Sequence, residues 1–354
     1  MNEKIKEIIQ KIEPVNFKLM EEAQEKLDNL TKPQGSLGKL EDFARRIVGI
    51  SGTLSPAIKR KVILVMVGDH GVAEEGVSAY PQEVTFQMVN NFIRGGAGIN
   101  VLARHMGAEI LVVDMGVAKD FSLEESIIRK KIANGTNNMA KGPAMSRDEA
   151  ERAIIAGIEV FEDELNRKVI DIIGLGEMGI ANTTPSSAIV ACLTKSKIEE
   201  VTGRGTGINE NQLKNKIRVI KQAIEVNHPD PEDGLDVLSK IGGFEIGGLV
   251  GCVLAAASHR VPIVIDGFIS CASALIAIKL APLVRDYMFA SHNSVEKGHK
   301  IALKYIGKVP MFDLGMRLGE GTGAALGISF IEAGVRILTQ MATFEEAGVD
   351  KISR

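Results

Sequence analysis

Two carboxylates in this 354-residue chain sit between glycines in loops where a side chain can meet a ligand directly. The first is Glu320, within Asp313-Leu-Gly-Met-Arg-Leu-Gly-Glu-Gly-Thr-Gly-Ala-Ala-Leu-Gly327. Glycines at 315, 319, 321 and 323 allow sharp turns and close backbone approach. A small-residue helical pattern follows, and a helix N-terminus favours anions. The competing reading is a glycine-rich turn whose acid is merely solvated. The second is Glu177, within Gly174-Leu-Gly176-Glu-Met-Gly179. A general base must reach the proton it removes, and burial raises a carboxylate pKa toward neutrality. Both acids qualify.

The other chemistry-bearing motifs are weaker. Gly174 to Gly179 matches G-x-G-x-x-G, but Ile180-Ala-Asn-Thr-Thr-Pro follows, with Thr184 expected as N-cap and Pro185 in the first helical turn. A dinucleotide fingerprint needs an acid after a second strand about 20 residues on. Glu199 and Glu200 are near that distance but lie in a polar stretch, so a mononucleotide phosphate fits better. Gly203-Arg-Gly-Thr-Gly207 precedes a helix with Lys214 and Lys216, either a phosphate cradle or a flexible connection. There is no G-x-x-x-x-G-K-[ST] and no H-E-x-x-H. His70 and His292 lack a second histidine at ligand spacing, so both read as structural or hydrogen-bonding and no metal is expected. Ser291 and Ser294 lack a nucleophile-elbow pattern.

These residues need a scaffold, and the sequence supplies strands to hold them. Lys61–Val67, Glu109–Val113, Val169–Ile173 and Val261–Ile265 are continuous apolar runs, with weaker ones at Tyr287–Ala290 and Val309–Phe312. Each ends in polar or glycine residues, respectively Asp69-His-Gly, Asp114-Met-Gly, Gly174-Leu-Gly-Glu, Asp266-Gly-Phe, Ser291-His-Asn-Ser and Asp313-Leu-Gly. Helical patterns fill the gaps around 83–106, 146–166, 209–226, 245–258, 269–280 and 296–306. Strands of this kind alternating with helices predict an α/β fold, a mostly parallel sheet of about six strands covered on both faces. Ligands bind at the carboxyl edge of such a sheet. Residues 2–30, about 40–50 and 322–347 read as further helices, the last folding back onto the first.

Composition narrows the function classes. A net charge of −3 and the absence of Trp argue against a nucleic-acid surface. Cys192, Cys252 and Cys271 form neither a disulfide framework nor a zinc pattern, which predicts buried thiols in a reducing compartment. The first residues are charged and no apolar stretch reaches membrane-spanning length, so a cytoplasmic soluble protein is expected.

Several segments together resemble the nicotinate-nucleotide:dimethylbenzimidazole phosphoribosyltransferases. They are Lys32-Pro-Gln-Gly-Ser-Leu-Gly-Lys-Leu-Glu, Asp69-His-Gly-Val, Gly142-Pro-Ala-Met-Ser, Gly176-Glu-Met-Gly-Ile-Ala-Asn-Thr-Thr-Pro, Asp233-Gly-Leu-Asp-Val-Leu-Ser-Lys-Ile-Gly-Gly-Phe, Asp266-Gly-Phe, Ser291-His-Asn-Ser-Val-Glu-Lys-Gly and Met316-Arg-Leu-Gly-Glu-Gly-Thr-Gly-Ala-Ala. The resemblance spans nearly the whole chain. It implies a homodimer with a Rossmann-like catalytic domain, here 56–329, and a small helical domain from both ends, 1–55 with 330–354. It implies Glu320 as general base, with Leu318 and the Tyr80, Pro81, Gln82 and Met88 segment around the benzimidazole. Glu177, Gly179, Lys216, Asp266, Gly267, Phe268 and Ser294 correspond to nucleotide-binding positions. Gly176, Asn182 and Gly205, from the glycine motifs, join them as substrate-binding candidates. Glu177 either stabilises charge on the sugar or holds a hydroxyl. No cofactor is implied, since the leaving nitrogen of nicotinate mononucleotide already carries positive charge and nicotinate departs without an acid or metal. A ribosyltransferase with another aromatic acceptor and a non-catalytic nucleotide sensor are the rival readings.

Overall fold

The structure, a computed structural model, describes residues 1–122 and 126–350. The last four positions of the expected small domain therefore lie outside the described residues. Six strands form one parallel sheet: β1 Lys61–Gly68, β2 Glu109–Gly116, β3 Ile128–Arg129, β4 Ile172–Met178, β5 Ile263–Ile265 and β6 Met288–Ala290. Their order across the sheet is β3-β2-β1-β4-β5-β6. All five pairings are parallel, and Met66 of β1 lies opposite Glu177 of β4. This is the doubly wound arrangement, whose order reverses between β1 and β4, where a crevice opens at the carboxyl edge.

The central strands are continuous apolar runs because both faces are covered. Val62 to Val67 are all fully buried. One group of helices, Arg147–Arg167, Phe244–Ser258 and Phe268–Leu280, packs together against the sheet. Gly157 and Gly251 make that contact close, since a Cβ at either would strike the facing helix backbone. A second group includes Gly98–Met106 and Thr322–Gln340, the latter also packing on Lys39–Ser51. A separate apolar cluster of Ala23, Leu27, Leu30, Ala44, Val48 and Leu338 joins helices from the two chain ends.

Several expectations are corrected here. Val309–Phe312 is not a strand; a single bridge, His292 to Phe312, is all that pairs it. Pro310 lacks the N–H that a ladder needs. The sixth strand is instead β3, two residues long at a sheet edge. The 83–106 pattern divides into Glu83–Ile93 and Gly98–Met106, separated at Gly95-Gly96. The N-cap after β4 is Asn182, not Thr184, so Pro185 is the third helical residue. Ala181, at φ +75°, turns the chain early, and the first helical turn still tolerates a proline without an N–H. The 322–347 pattern is interrupted after Gln340 and resumes at Phe344–Ala347. Thr322–Gln340 is also long and apolar enough to cross a membrane by length and composition. More than half of it is buried in this fold, as suits a core helix.

Candidate active site

A cavity of about 670 Å³ opens at the carboxyl ends of β4, β5 and β6. Its acidic wall is built by the 319–321 turn. Gly319, Glu320 and Gly321 have φ of +82°, +62° and +88°, three left-handed residues in succession. For glutamate that conformation costs about 1–2 kcal/mol, which the surrounding structure must offset. The turn lies on β4, where Gly176 has no side chain: a Cβ there would sit 2.6 Å from the Glu320 carbonyl oxygen. Glu320 thus becomes a buried carboxylate accepting one bond, from the Ile99 N–H at 3.2 Å. That N–H belongs to the first turn of the Gly98–Met106 helix, so a helix N-terminus other than its own steadies the charge. Burial still raises its pKa, against that bond.

Asp266, at the end of β5, serves the Thr322–Gln340 helix instead. Its carboxylate accepts from the N–H groups of Gly321 at 3.1 Å, Gly323 at 2.6 Å and Ala324 at 3.2 Å. The helix has no side-chain cap of its own, and Asp266 fills that role from across the sheet. Burial nevertheless pushes Asp266 up to about 7, with Glu320 adding repulsion. Glu177, at the end of β4, is pushed up to about 8 by burial and then by Asp266, while a bond from Asn182 Nδ2 opposes the shift. A Cβ on Gly319 would lie 2.5 Å from Glu177 Oε1, so this glycine is needed for space as well as for backbone sign. Three buried acids converge, and no ammonium or guanidinium is bonded to any of them among the described residues.

The cationic corner is separate. Lys216 is fully buried, and its Nζ donates to Thr183 Oγ1 at 2.7 Å. A Cβ on Gly205 would lie 3.3 Å from that Nζ, so the Gly203–Gly207 loop passes directly over the ammonium. Burial lowers Lys216 to about 8, against the pull of Glu296. Lys214 is exposed and faces away from this role.

Tyr80, Met88, Glu177, Gly179, Asn182, Gly205, Gly267, Phe268, Ser294, Leu318 and Glu320 all line the cavity. Gly176, Lys216 and Asp266 lie behind that lining, in the roles just described. Pro81 and Gln82 do not line it; they lead into the Glu83–Ile93 helix. The sequence reading missed Thr183, Thr206, His292, Glu296 and Arg317, which also face the cavity. His292, read as structural, has Nε2 3.8 Å from Asp266 Oδ1 and a buried Nδ1 without a partner. Burial lowers its pKa. Glu296 and Arg317 each stand within two residues of a residue singled out beforehand, and that proximity was the available signal. His70 bonds Glu245 at 2.9 Å, both fully buried, beneath the Gly179 turn.

Comparison with known proteins fits this geometry. A family model described as Phosphoribosyltransferase matches residues 12–349. The chain belongs to that family. A relative from Geobacter sulfurreducens, named nicotinate-nucleotide–dimethylbenzimidazole phosphoribosyltransferase, is 57% identical over 343 residues, 97% of each chain. One of the same name from Desulforudis audaxviator is 57% identical over 347 residues, covering 98% of each. A crystal structure of the phosphoribosyltransferase of that name from Thermus thermophilus aligns with a TM-score of 0.90 at 40% identity, covering 95% of this chain and 99% of the other. The family's α/β fold is thus the one described above, and its members of known name place this chain among enzymes.

Proposed function

We propose that this protein transfers the phosphoribosyl group of nicotinate mononucleotide to 5,6-dimethylbenzimidazole, giving α-ribazole 5′-phosphate and nicotinate. The observation that carries the reading is the division of one cavity into an acid wall and a buried lysine corner. The nucleotide phosphate suits Lys216 and the Gly205 loop. The positively charged nicotinate nitrogen and the ribose then lie toward the acids. The acceptor base lies between Tyr80, Met88 and Leu318, where the wall is apolar or aromatic.

One benzimidazole nitrogen attacks the anomeric carbon from the face opposite nicotinate. The bond from that carbon to the nicotinate nitrogen breaks, and its electron pair neutralises the ring, so configuration inverts. The acceptor's other nitrogen now carries an acidic proton, and Glu320 takes it. A base in that role contributes about 10² to 10⁴ in rate, and raising its pKa toward neutrality improves the proton match. The positively charged pyridinium ring of the substrate favours the ionised forms of Glu177 and Asp266, so its binding shifts both acids toward releasing their protons. Their negative charge then faces the positive charge growing on the sugar. Holding two flat rings across one ribose supplies much of the remaining acceleration.

The same reading takes the enzyme as a cytoplasmic homodimer whose small helical domain comes from residues 1–55 and 330–354. The exposed side chains of Tyr80 and Leu318, which line the cavity, support a covering second copy. The test is direct. Purified protein is mixed with nicotinate mononucleotide and 5,6-dimethylbenzimidazole, and products are followed by chromatography and mass. Equal release of nicotinate and α-ribazole phosphate is expected; nucleotide binding without transfer to this base would overturn the reading.

A further inference from the structure

On the far side of the 308–320 segment, a second cavity of about 550 Å³ lies between the Lys39–Ser51 helix and the turn at Gly307. Its floor is apolar, from Phe43, Phe289 and Met311. Its charge is not. Arg46 lies 3.8 Å above the Phe289 ring and donates to the Met288 carbonyl at 2.6 Å, which leaves most of its guanidinium N–H groups unassigned. Lys308 faces it across the cavity. Neither cation forms an ion pair within 4 Å among the described residues. The carboxylate that also lines the space, Asp42, is already held by Arg45 at 2.8 Å. Lys39, at the rim, spends its ammonium on the Pro310 carbonyl at 2.8 Å.

Two further observations agree. The helix that forms one wall begins at Lys39 with Gly38 as its N-cap and has no side-chain cap, so its first N–H groups open on the same space, with Glu41 and Asp42 of its first turn offsetting part of their charge. Gly38 and Gly307 both line the cavity and both have open space where a side chain would be. Burial, and then Arg46 itself, push the Lys308 ammonium down to about 7. Asp42 and Asp286 stand near both cations without bonding either, so part of the repulsion between Arg46 and Lys308 is left, and an anion held directly between them removes it.

We propose that this cavity is a second oxyanion site, in which Arg46 and Lys308 grip the phosphate group of a small molecule. A phosphate dianion matches two facing cations, and the apolar floor receives the body attached to it. The site is tied to the catalytic loop by the chain itself. Met311 N–H donates to the Ser291 carbonyl at 2.8 Å, and Asn293 Nδ2 donates to Asp313 at 2.7 Å. An anion that braces Lys308 against the Lys39–Ser51 helix therefore steadies the strap leading to Glu320.

The experiment follows acetylation of Lys308 by mass spectrometry in the full chain, with rising inorganic phosphate and ionic strength held constant with chloride. Phosphate is expected to protect Lys308 saturably, by about tenfold once it exceeds its dissociation constant about tenfold. Protection should persist in Lys216→Met, which separates this site from the nucleotide corner, and disappear in Arg46→Gln. Arg46→Lys, which keeps the charge, should retain a measurable part of it and distinguish loss of the site from loss of the fold. Labelling of Lys308 that ignores phosphate, or protection equal in Arg46→Gln, overturns the proposal. No outcome depends on transfer activity.

Discussion

At the amino edge of the sheet, just before β1, Arg60 bonds Glu109 at 2.8 Å and Glu164 at 3.0 Å, and donates to two backbone carbonyls as well. At the carboxyl edge, Glu177, Asp266 and Glu320 are as deeply buried, yet their partners are N–H groups of backbone and amide. The same fold therefore buries charge twice. Where the pairing is complete the charges hold elements together. Where the counter-charge is absent, pKa values climb, as they do at functional sites. That difference separates stability from function without reference to any motif.

The contrast is sharpest at Glu320. On the proposed reading, Glu320→Gln keeps shape and removes only the proton acceptor, so turnover should fall by about 10² to 10⁴ while nicotinate mononucleotide affinity is kept. Stopped assays with a parallel binding titration check both. Arg60→Met should do the reverse. It strands Glu164, which retains Arg167 at 2.8 Å, so a loss of about 3 kcal/mol is expected, the low end for breaking a buried pair. Denaturant unfolding reads that loss, and the per-molecule rate of the folded fraction should hardly change.

The acids also predict a pH dependence of stability in the free enzyme. A carboxyl pKa raised from 4.5 to about 8 for Glu177, and from 3.8 to about 7 for Asp266, means the folded state binds more protons than the unfolded one in that window. Their contribution is thus fully present below about pH 4 and is lost as pH rises through 7 to 8. Glu177→Gln removes part of that slope, so its Tm should overtake the wild type's above pH 8, by about 1–2 °C for each kcal/mol recovered in a chain of this length. Equal slopes in thermal scans from pH 5 to about 9 would break the comparison. The smallest effect is expected from Gly319→Ala. The left-handed backbone costs about 1 kcal/mol or more, and the new methyl must displace the Glu177 carboxylate. Reduced turnover with a modest drop in unfolding midpoint should result.

Much of this scaffold was legible in the residues. Continuous apolar runs marked β1, β2, β5 and β6 to within a few positions, because strands buried on both faces leave no polar alternation to confuse them. Val169–Ile173 was placed early: the strand runs from Ile172 to Met178 and carries Glu177 within it, since its glycines are extended strand residues rather than a loop. β3 was invisible, two residues being too few for any period. The acids and the buried lysine were legible as glycine-flanked or helix-borne charges. What no local pattern could show was who holds them. Asp266 capping a helix 55 positions later and Glu320 resting on the Gly98–Met106 helix are contacts across the fold. His292, Glu296 and Arg317 were missed for the same reason.

Gly174 and Gly176 leave β4 bare along one face, and the 319–321 turn, Ala324 and Ile328 lie where side chains would otherwise project. This strand works as a seat machined flat for another segment. Its depth fixes how far the Glu320 carboxylate reaches into the cavity. A methyl added at Gly176 would press on the whole turn and change the reach of the Glu320 carboxylate without changing the identity of one lining residue. In such an enzyme, tuning for a larger or smaller acceptor ring can be written in a residue that no substrate ever touches.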